Sequence, residues 1–182
     1  SGGGIYIDSG GATIQSSTIS GNSAYSGGGI LKAGFDTLTV TNSTISGNTA
    51  NNTGAGIDSL FGTTTLLNST VTANHANGSG GGLRQQDPAV VTLSNTIVAG
   101  NVGPDLQNTI TSNDYNLIED ASGATFTPQA NDMVGEAPLL DTLKDNGGPT
   151  WTHALLPDSP AIDGGETTLT VDQRGITRPA GD

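Results

Sequence analysis

The chain of 182 residues has no cysteine, which excludes both a disulfide framework and a thiolate-ligated zinc site. It is poor in aromatic residues (4%) and in hydrophobic residues (32%), too poor for a thick globular core. Positive charge is scarce: five Lys and Arg face seventeen Asp and Glu, a formal net charge of −12. That balance argues against nucleic acid, whose phosphates need a basic footprint, and against anionic membrane surfaces. No apolar run approaches the roughly 18 residues of a spanning helix, so no membrane insertion is expected. Ser1 stands inside a repeated motif without a basic and then apolar leader, as expected of a mature chain or a fragment.

What the chain has instead is glycine, 28 of them, and a repeat. Ser-Gly-Gly-Gly-Ile at Ser1 returns at Ser26, as Thr53-Gly54-Ala55-Gly56-Ile57, and as Ser79-Gly80-Gly81-Gly82-Leu83, at steps of 25, 27 and 26 residues. A second landmark, an asparagine at Asn22, Asn48, Asn74 and Asn101, keeps the same beat. A fixed period in the range of roughly 20–50 residues marks a solenoid, propeller or array. Alternation such as Leu38-Thr39-Val40-Thr41 reads as strand, and nothing recurs at helical spacing. About 26 residues accommodate three short strands and three turns, one coil of a parallel β-helix. Propeller blades are longer, and leucine-rich repeats need a leucine scaffold.

Superposed coils predict apolar ladders of Ile5, Ile30, Ile57 and Leu83; of Ile14, Val40, Leu66 and Leu93; and of Ile19, Ile45, Val71 and Val98. With coils roughly 4.8 Å apart these ladders form the core. Asn22, Asn48, Asn74 and Asn101 are expected to stack with amide hydrogen bonds along the axis, as is a second column of Ser16, Asn42, Asn68 and Asn95 facing inward. Asn42, Asn51, Asn68 and Asn77 fit the glycosylation pattern, which a chain this rich in Ser, Thr and Asn generates by chance.

The beat weakens after Asn101. A coil from Pro104 to Ile118 is expected to be the fifth and last, giving a β-helix over 1–118 and an irregular tail over 119–182 that wraps back on the solenoid with Trp151 as its anchor. Arg174 and Arg178, beside Asp172 and Asp182, are expected to form ion pairs that pin the terminus.

The repeats resemble right-handed parallel β-helix proteins of the pectin-lyase-like kind. The tail resembles a choice-of-anchor Q domain, through Asn116-Leu117-Ile118, Pro138-Leu139-Leu140, Asp145-Asn146-Gly147-Gly148-Pro149-Thr150, Thr152-His153-Ala154-Leu155, Ser159-Pro160-Ala161-Ile162-Asp163 and Asp172-Gln173-Arg174-Gly175 with Arg178-Pro179. That resemblance covers about the last third of the chain and implies export to a bacterial surface or exterior.

The pectin-lyase-like resemblance brings polysaccharide lyases and hydrolases into view. A lyase needs a basic residue, and Lys32 and Arg84, the two in the repeats, stand beside no aspartate cluster in the superposed text. A hydrolase needs two carboxylates about 5 or about 6.5–9.5 Å apart, which Asp8, Asp36, Asp58 and Asp87 offer only as recurrent turn residues. His75 and His153 lack a serine nucleophile motif. Thr37-Thr39-Thr41 and Thr63-Thr64-Thr65 suggest a flat threonine surface like that of ice-binding solenoids, but the array reads as short, broken by Gln15 and Val90. No catalytic, metal or cofactor site is therefore assigned. The expectation is a secreted or cell-surface structural β-solenoid that associates head to tail with its own copies into a filament, stalk or coat. Its interface is placed on Ser1, Gly2, Gly3, Ile5 and Ile7 at one end and Tyr115, Asn116 and Ile118 at the other. The alternative is a carbohydrate-binding or polysaccharide-cleaving β-helix, with glycans as partners.

Overall fold

The computed structural model describes residues 2–178, and its strands follow the repeat text. Three main parallel stacks run along one axis, with a short fourth of Ser23–Ala24, Thr49–Ala50 and His75–Ala76. The first contains Ile5–Ile7, Ile30–Lys32, Ile57–Ser59 and Leu83–Gln85; the second contains Ala12–Gln15, Thr37–Thr41, Thr63–Leu67 and Val90–Ser94. The third contains Thr18–Ser20, Thr44–Ser46, Thr70–Thr72 and Ile97–Ala99. The strand Leu106–Ser112 pairs with both the first and second stacks and joins them into one sheet. The registers are those of the superposed text: Ile5 on Ile30, Ile14 on Val40, Ile19 on Ile45. Ile30, Leu38, Val40, Ile45, Leu66, Val71, Leu93 and Val98 have no exposed surface, so the thin core is the set of apolar ladders.

The glycine triplet and the asparagine column explain each other. Asn22 Nδ2 donates to Asn48 Oδ1 (3.0 Å), Asn48 Nδ2 to Asn74 Oδ1 (2.9 Å) and Asn74 Nδ2 to Asn101 Oδ1 (2.9 Å). Each of these oxygens also accepts the backbone N–H of the asparagine before it. The second amide proton of Asn48, Asn74 and Asn101 goes to the carbonyls of Ile19, Ile45 and Val71. A Cβ on the third glycine of the motif would sit 2.8 Å from the Asn22 amide nitrogen at Gly4, 3.0 Å from that of Asn48 at Gly29 and 2.9 Å from that of Asn101 at Gly82. Only glycine leaves room for the ladder there; at the second position Ala55 fits fully buried in the third coil, while at Gly28 and Gly81 a Cβ would lie 2.5 Å from the Thr49 and Val102 carbonyl oxygens.

The stacking continues past residue 118. Gly123–Phe126 pairs in parallel with Leu106–Ser112, and Met133–Val134 with Leu117–Ile118. About four full turns are thus followed by a shortened coil and a partial one, and the boundary set at 118 moves to about 134. The fading repeat text hides this because the added strands are short and are held by backbone pairing, which puts little demand on side-chain identity.

From Gly135 the chain runs back along the outer face of the third stack and along its corner with the second. Thr150 Oγ1 donates to the Ser16 carbonyl and Thr18 Oγ1 to the Trp151 carbonyl, both in the first coil. The last leg then descends the coils in order, with the Glu166 N–H on Asn95 Oδ1, Thr167 Oγ1 on Asn68 Oδ1, and the Val171 carbonyl accepting from Asn42 Nδ2. Gln173 spans the first two coils, its Nε2 donating to Ser17 O and its Oε1 accepting from Thr44 Oγ1.

Two expectations are corrected here. Ser16, Asn42, Asn68 and Asn95 have φ between +46° and +51° and form a left-handed corner whose asparagines turn to the tail instead of stacking inward. Trp151 holds the tail by its carbonyl, while its side chain leaves the residue 56% exposed.

Candidate functional site

The polar side chains that sequence singled out fall into three places. At the turn between the first and second stacks, Asp8 Oδ1 accepts the Tyr6 hydroxyl (3.0 Å) and Asp36 Oδ2 accepts the Gly10 N–H (2.8 Å), so Asp36 ties its coil to the one before. Lys32 points into the solenoid, in the column of Ile7 and Ser59, and is fully buried. Its ammonium donates to the carbonyls of Gly34 and Phe61. Burial lowers its pKa, against the opposing pull of Asp36. Above it Phe35 and Phe61 lie with ring centroids 4.8 Å apart, Phe35 being 76% exposed.

On the outer face of the first stack, register places Arg84 directly on Asp58. The guanidinium grips the carboxylate in two bonds, Nε to Oδ1 (2.7 Å) and Nη2 to Oδ2 (3.1 Å), and Thr53 Oγ1 adds a third (3.1 Å). The superposed text set no aspartate cluster beside Arg84, and the structure sets one aspartate there, Asp58. Asp58 is fully buried, and burial pushes its pKa up while Arg84 and Thr53 pull it down. The superposed text missed the pair because it aligned Asp58 with turn aspartates rather than with Leu31 and Arg84, its partners across the sheet.

The third place is a groove of about 520 Å³ between the tail and the third stack, lined by Ser46, Gly47, Thr72, Leu140, Leu143 and His153 among others. His153 Nδ1 donates to the Asp141 carbonyl (2.6 Å), which makes Nε2 the acceptor of the Ser46 hydroxyl (2.8 Å). Serine, imidazole and an orienting oxygen are the order of groups in a nucleophilic site. Yet the N–H groups of Gly21 and Gly47, which line the groove, donate to Ser46 O and Thr72 O within the solenoid, so neither is free to receive an oxyanion. The bond pins the tail to the second coil.

Both side-chain ladders end on a carboxylate. Asp105 Oδ1 accepts the Asn101 amide (2.7 Å) and the Asn101 N–H (3.1 Å), while Oδ2 accepts the Asp120 N–H (2.8 Å). Burial pushes the Asp105 pKa up to about 6 against these three donors. A second ladder, unread in the sequence, takes hydroxyls in place of amides: Ser17 N–H to Ser43 Oγ and Ser43 N–H to Ser69 Oγ, then Thr96 N–H to Asn116 Oδ1 and Asn116 N–H to Asp132 Oδ1. The signal was present as Ser17, Ser43, Ser69 and Thr96 at the same period.

Of the residues assigned to an assembly interface, Ser1 lies outside the described residues, as does Asp182. Gly2, Gly3, Ile5 and Ile7 belong to the first coil, where the Gly3 N–H already donates to Gly27 O and Ile7 is buried. Tyr115, Asn116 and Ile118 are not a free end. Asn116 is bonded to Asp132, Ile118 pairs with Val134, and the Tyr115 hydroxyl donates to Glu166 (2.6 Å). Of the terminal ion pairs, Arg174 closes on Asp172, whereas Arg178 donates to Asn42 Oδ1. Among the described residues no three of His, Cys, Asp or Glu cluster as a metal would need.

A family description, right-handed beta helix region, matches residues 3–133, the span over which the coils stack. The chain belongs to that family. Right-handed β-helices include both polysaccharide-cleaving enzymes and structural proteins, so membership leaves the function to the site. Comparison with curated proteins and with solved structures gives no match.

Proposed function

We propose that this right-handed β-helix is a structural, non-catalytic element of the cell exterior, a stalk or coat unit that acts as a rigid spacer. The observation that carries this reading is the engagement of its reactive side chains. Asp58 and Arg84 saturate each other, Asp105 and Asp132 terminate ladders, Lys32 is enclosed by carbonyls, and Ser46 and His153 pin the tail. Self-association along the axis is the partner arrangement that goes with it, through strand edges. At the C-terminal side those edges are Gly123–Phe126 and Met133–Val134 rather than Tyr115–Ile118.

Sedimentation combined with electron microscopy of the purified chain tests both parts. Rods longer than one solenoid support axial association, and a single 18.1-kDa species at micromolar concentration excludes it. Release of reducing or unsaturated sugars from any of a panel of acidic and neutral polysaccharides would overturn the non-catalytic reading. A second reading, glycan contact without cleavage, is favoured by the exposed rings of Tyr6, Tyr25 and Phe35. Polysaccharide retention abolished by Phe35→Ala would establish it.

A further inference from the structure

The tail's hydrogen bonds to the solenoid go to the third stack and to its corner with the second. The outer face of the second stack remains half-exposed or exposed. Register there sets Thr13 beside Thr39, Thr39 beside Thr65, Thr65 beside Thr92 and Thr92 beside Thr111. The breaks at Gln15 and Val90 fall in the flanking rows, where Thr37 still pairs with Thr63. The central row of five is unbroken. The row repeats at the coil spacing of roughly 4.8 Å, and Thr37, Thr63 and Thr41 flank it roughly 6.6 Å away along the strands, a short net whose remaining flanking positions are Gln15, Leu67, Val90 and Ser94.

Two features separate this face from an ordinary β surface. The chain carries a net charge of −12, yet the outward positions of Ala12–Gln15, Thr37–Thr41, Thr63–Leu67 and Val90–Ser94 carry no charged side chain. Each threonine is β-branched and stiff at χ1, and neighbours one coil above and below confine it further, so the hydroxyls repeat with the backbone. Water bound to such hydroxyls takes up their spacing, the methyl groups between them limit its alternatives, and no local charge reorients it.

We propose that this face binds an ordered water lattice, the surface of ice. A sugar polymer is the poorer occupant, because stacking on sugar rings calls for aromatic side chains and the net has none. A second copy is also poorer: a hydroxyl-covered face loses its bonds to water on docking and regains them only in perfect register.

The test uses the full chain in an ice-recrystallisation assay with inspection of crystal habit. The wild-type chain is expected to hold ice grains small at micromolar concentration and to facet growing crystals. Thr65→Tyr, which breaks the central row, is expected to need at least about tenfold more protein for the same effect. Its thermal midpoint should stay at the wild-type value. Thr39→Lys serves as the second variant should Thr65→Tyr not fold, and Tyr6→Ser, on the first stack, should leave ice growth as in wild type. The proposal is overturned by normal ice growth in the presence of folded wild-type chain, by full activity in both threonine variants, or by loss of activity in Tyr6→Ser. Binding to crystalline cellulose or chitin that Thr65→Tyr abolishes would reassign the face to glycans. A dimer that Thr65→Tyr dissociates would reassign it to a second copy.

Discussion

Two asparagine columns climb the same solenoid at the same period, and they do different work. Asn22, Asn48, Asn74 and Asn101 turn inward and bond amide to amide. Asn42, Asn68 and Asn95 share a left-handed backbone, turn outward and receive the tail. Asparagine serves both, since its amide offers a donor and an acceptor for stacking and its short polar side chain tolerates positive φ. In the inner column the amide is indispensable and the backbone ordinary; in the outer column the backbone conformation comes first and the amide second.

The comparison breaks most severely at Asn74. Asn74→Leu should cost on the order of 5 kcal/mol, because it leaves the Ile45 carbonyl, the Asn48 amide and Asn101 Oδ1 each short of a partner inside the protein. Chemical denaturation measures the loss; a change under about 1 kcal/mol would show that the ladder is ornamental.

Gly56→Ala should come next, at roughly 3–4 kcal/mol. The new methyl would meet the Gly82 carbonyl, lie 2.9 Å from Val71 Cγ1 and crowd the Asn74 amide at 3.2 Å. Gly47→Ala, where a methyl meets nothing within 4 Å and only the positive φ resists it, should cost less, about 1–2 kcal/mol, and equal losses at the two sites would refute the clearance argument.

Asp105 sharpens the inner column through pH. Its pKa is about 6 in the fold and near 3.8 unfolded, so both states are protonated only below about pH 3. Between pH 4 and 6 the unfolded chain releases its proton first, and the contribution of this group to stability falls by about 3 kcal/mol, then stays level above pH 6. Subtracting the stability profile of Asp105→Asn from that of the wild-type chain isolates the slope. A difference that rises with pH would reverse the assignment.

The smallest effect belongs to the outer column. Asn68→Gly keeps the left-handed corner and should change stability by under about 1 kcal/mol while freeing Thr167. Limited proteolysis of residues 160–178 should quicken while the solenoid resists. Asn68→Val, which cannot rest comfortably at φ +51°, should be worse than glycine by about 1–3 kcal/mol.

Sequence made the inner column legible because period, residue type and facing all point the same way: a strict beat, an amide, and strand alternation on either side. The same period misplaced the outer column, since spacing tells which residues share a corner but not the sign of φ there. Four consecutive coils with Ser or Asn at one turn position were the available clue to a left-handed residue. Arg84 and Asp58 escaped because the pair occurs once and a repeat reading averages over what is unique. The strands Gly123–Phe126 and Met133–Val134 escaped for a related reason, as backbone pairing to a finished coil leaves almost no pattern in the side chains.

The inner column also has a direction. Each side-chain amide from Asn22 to Asn74 gives a proton to the following coil, and each oxygen from Asn48 to Asn101 accepts from the one before. The dipoles therefore align along the axis, with the positive pole toward Asp105, much as backbone dipoles align in a helix and favour an anion at the positive end. Such a stack has a growing side and a sealed side. A duplicated coil inserted between Asn22 and Asn101 finds a donor above and an acceptor below and extends the stack unchanged. One inserted after Asp105 meets a carboxylate with no proton to pass on, so duplication that prolongs the amide column is confined to the first four coils, although backbone pairing carries the stack further.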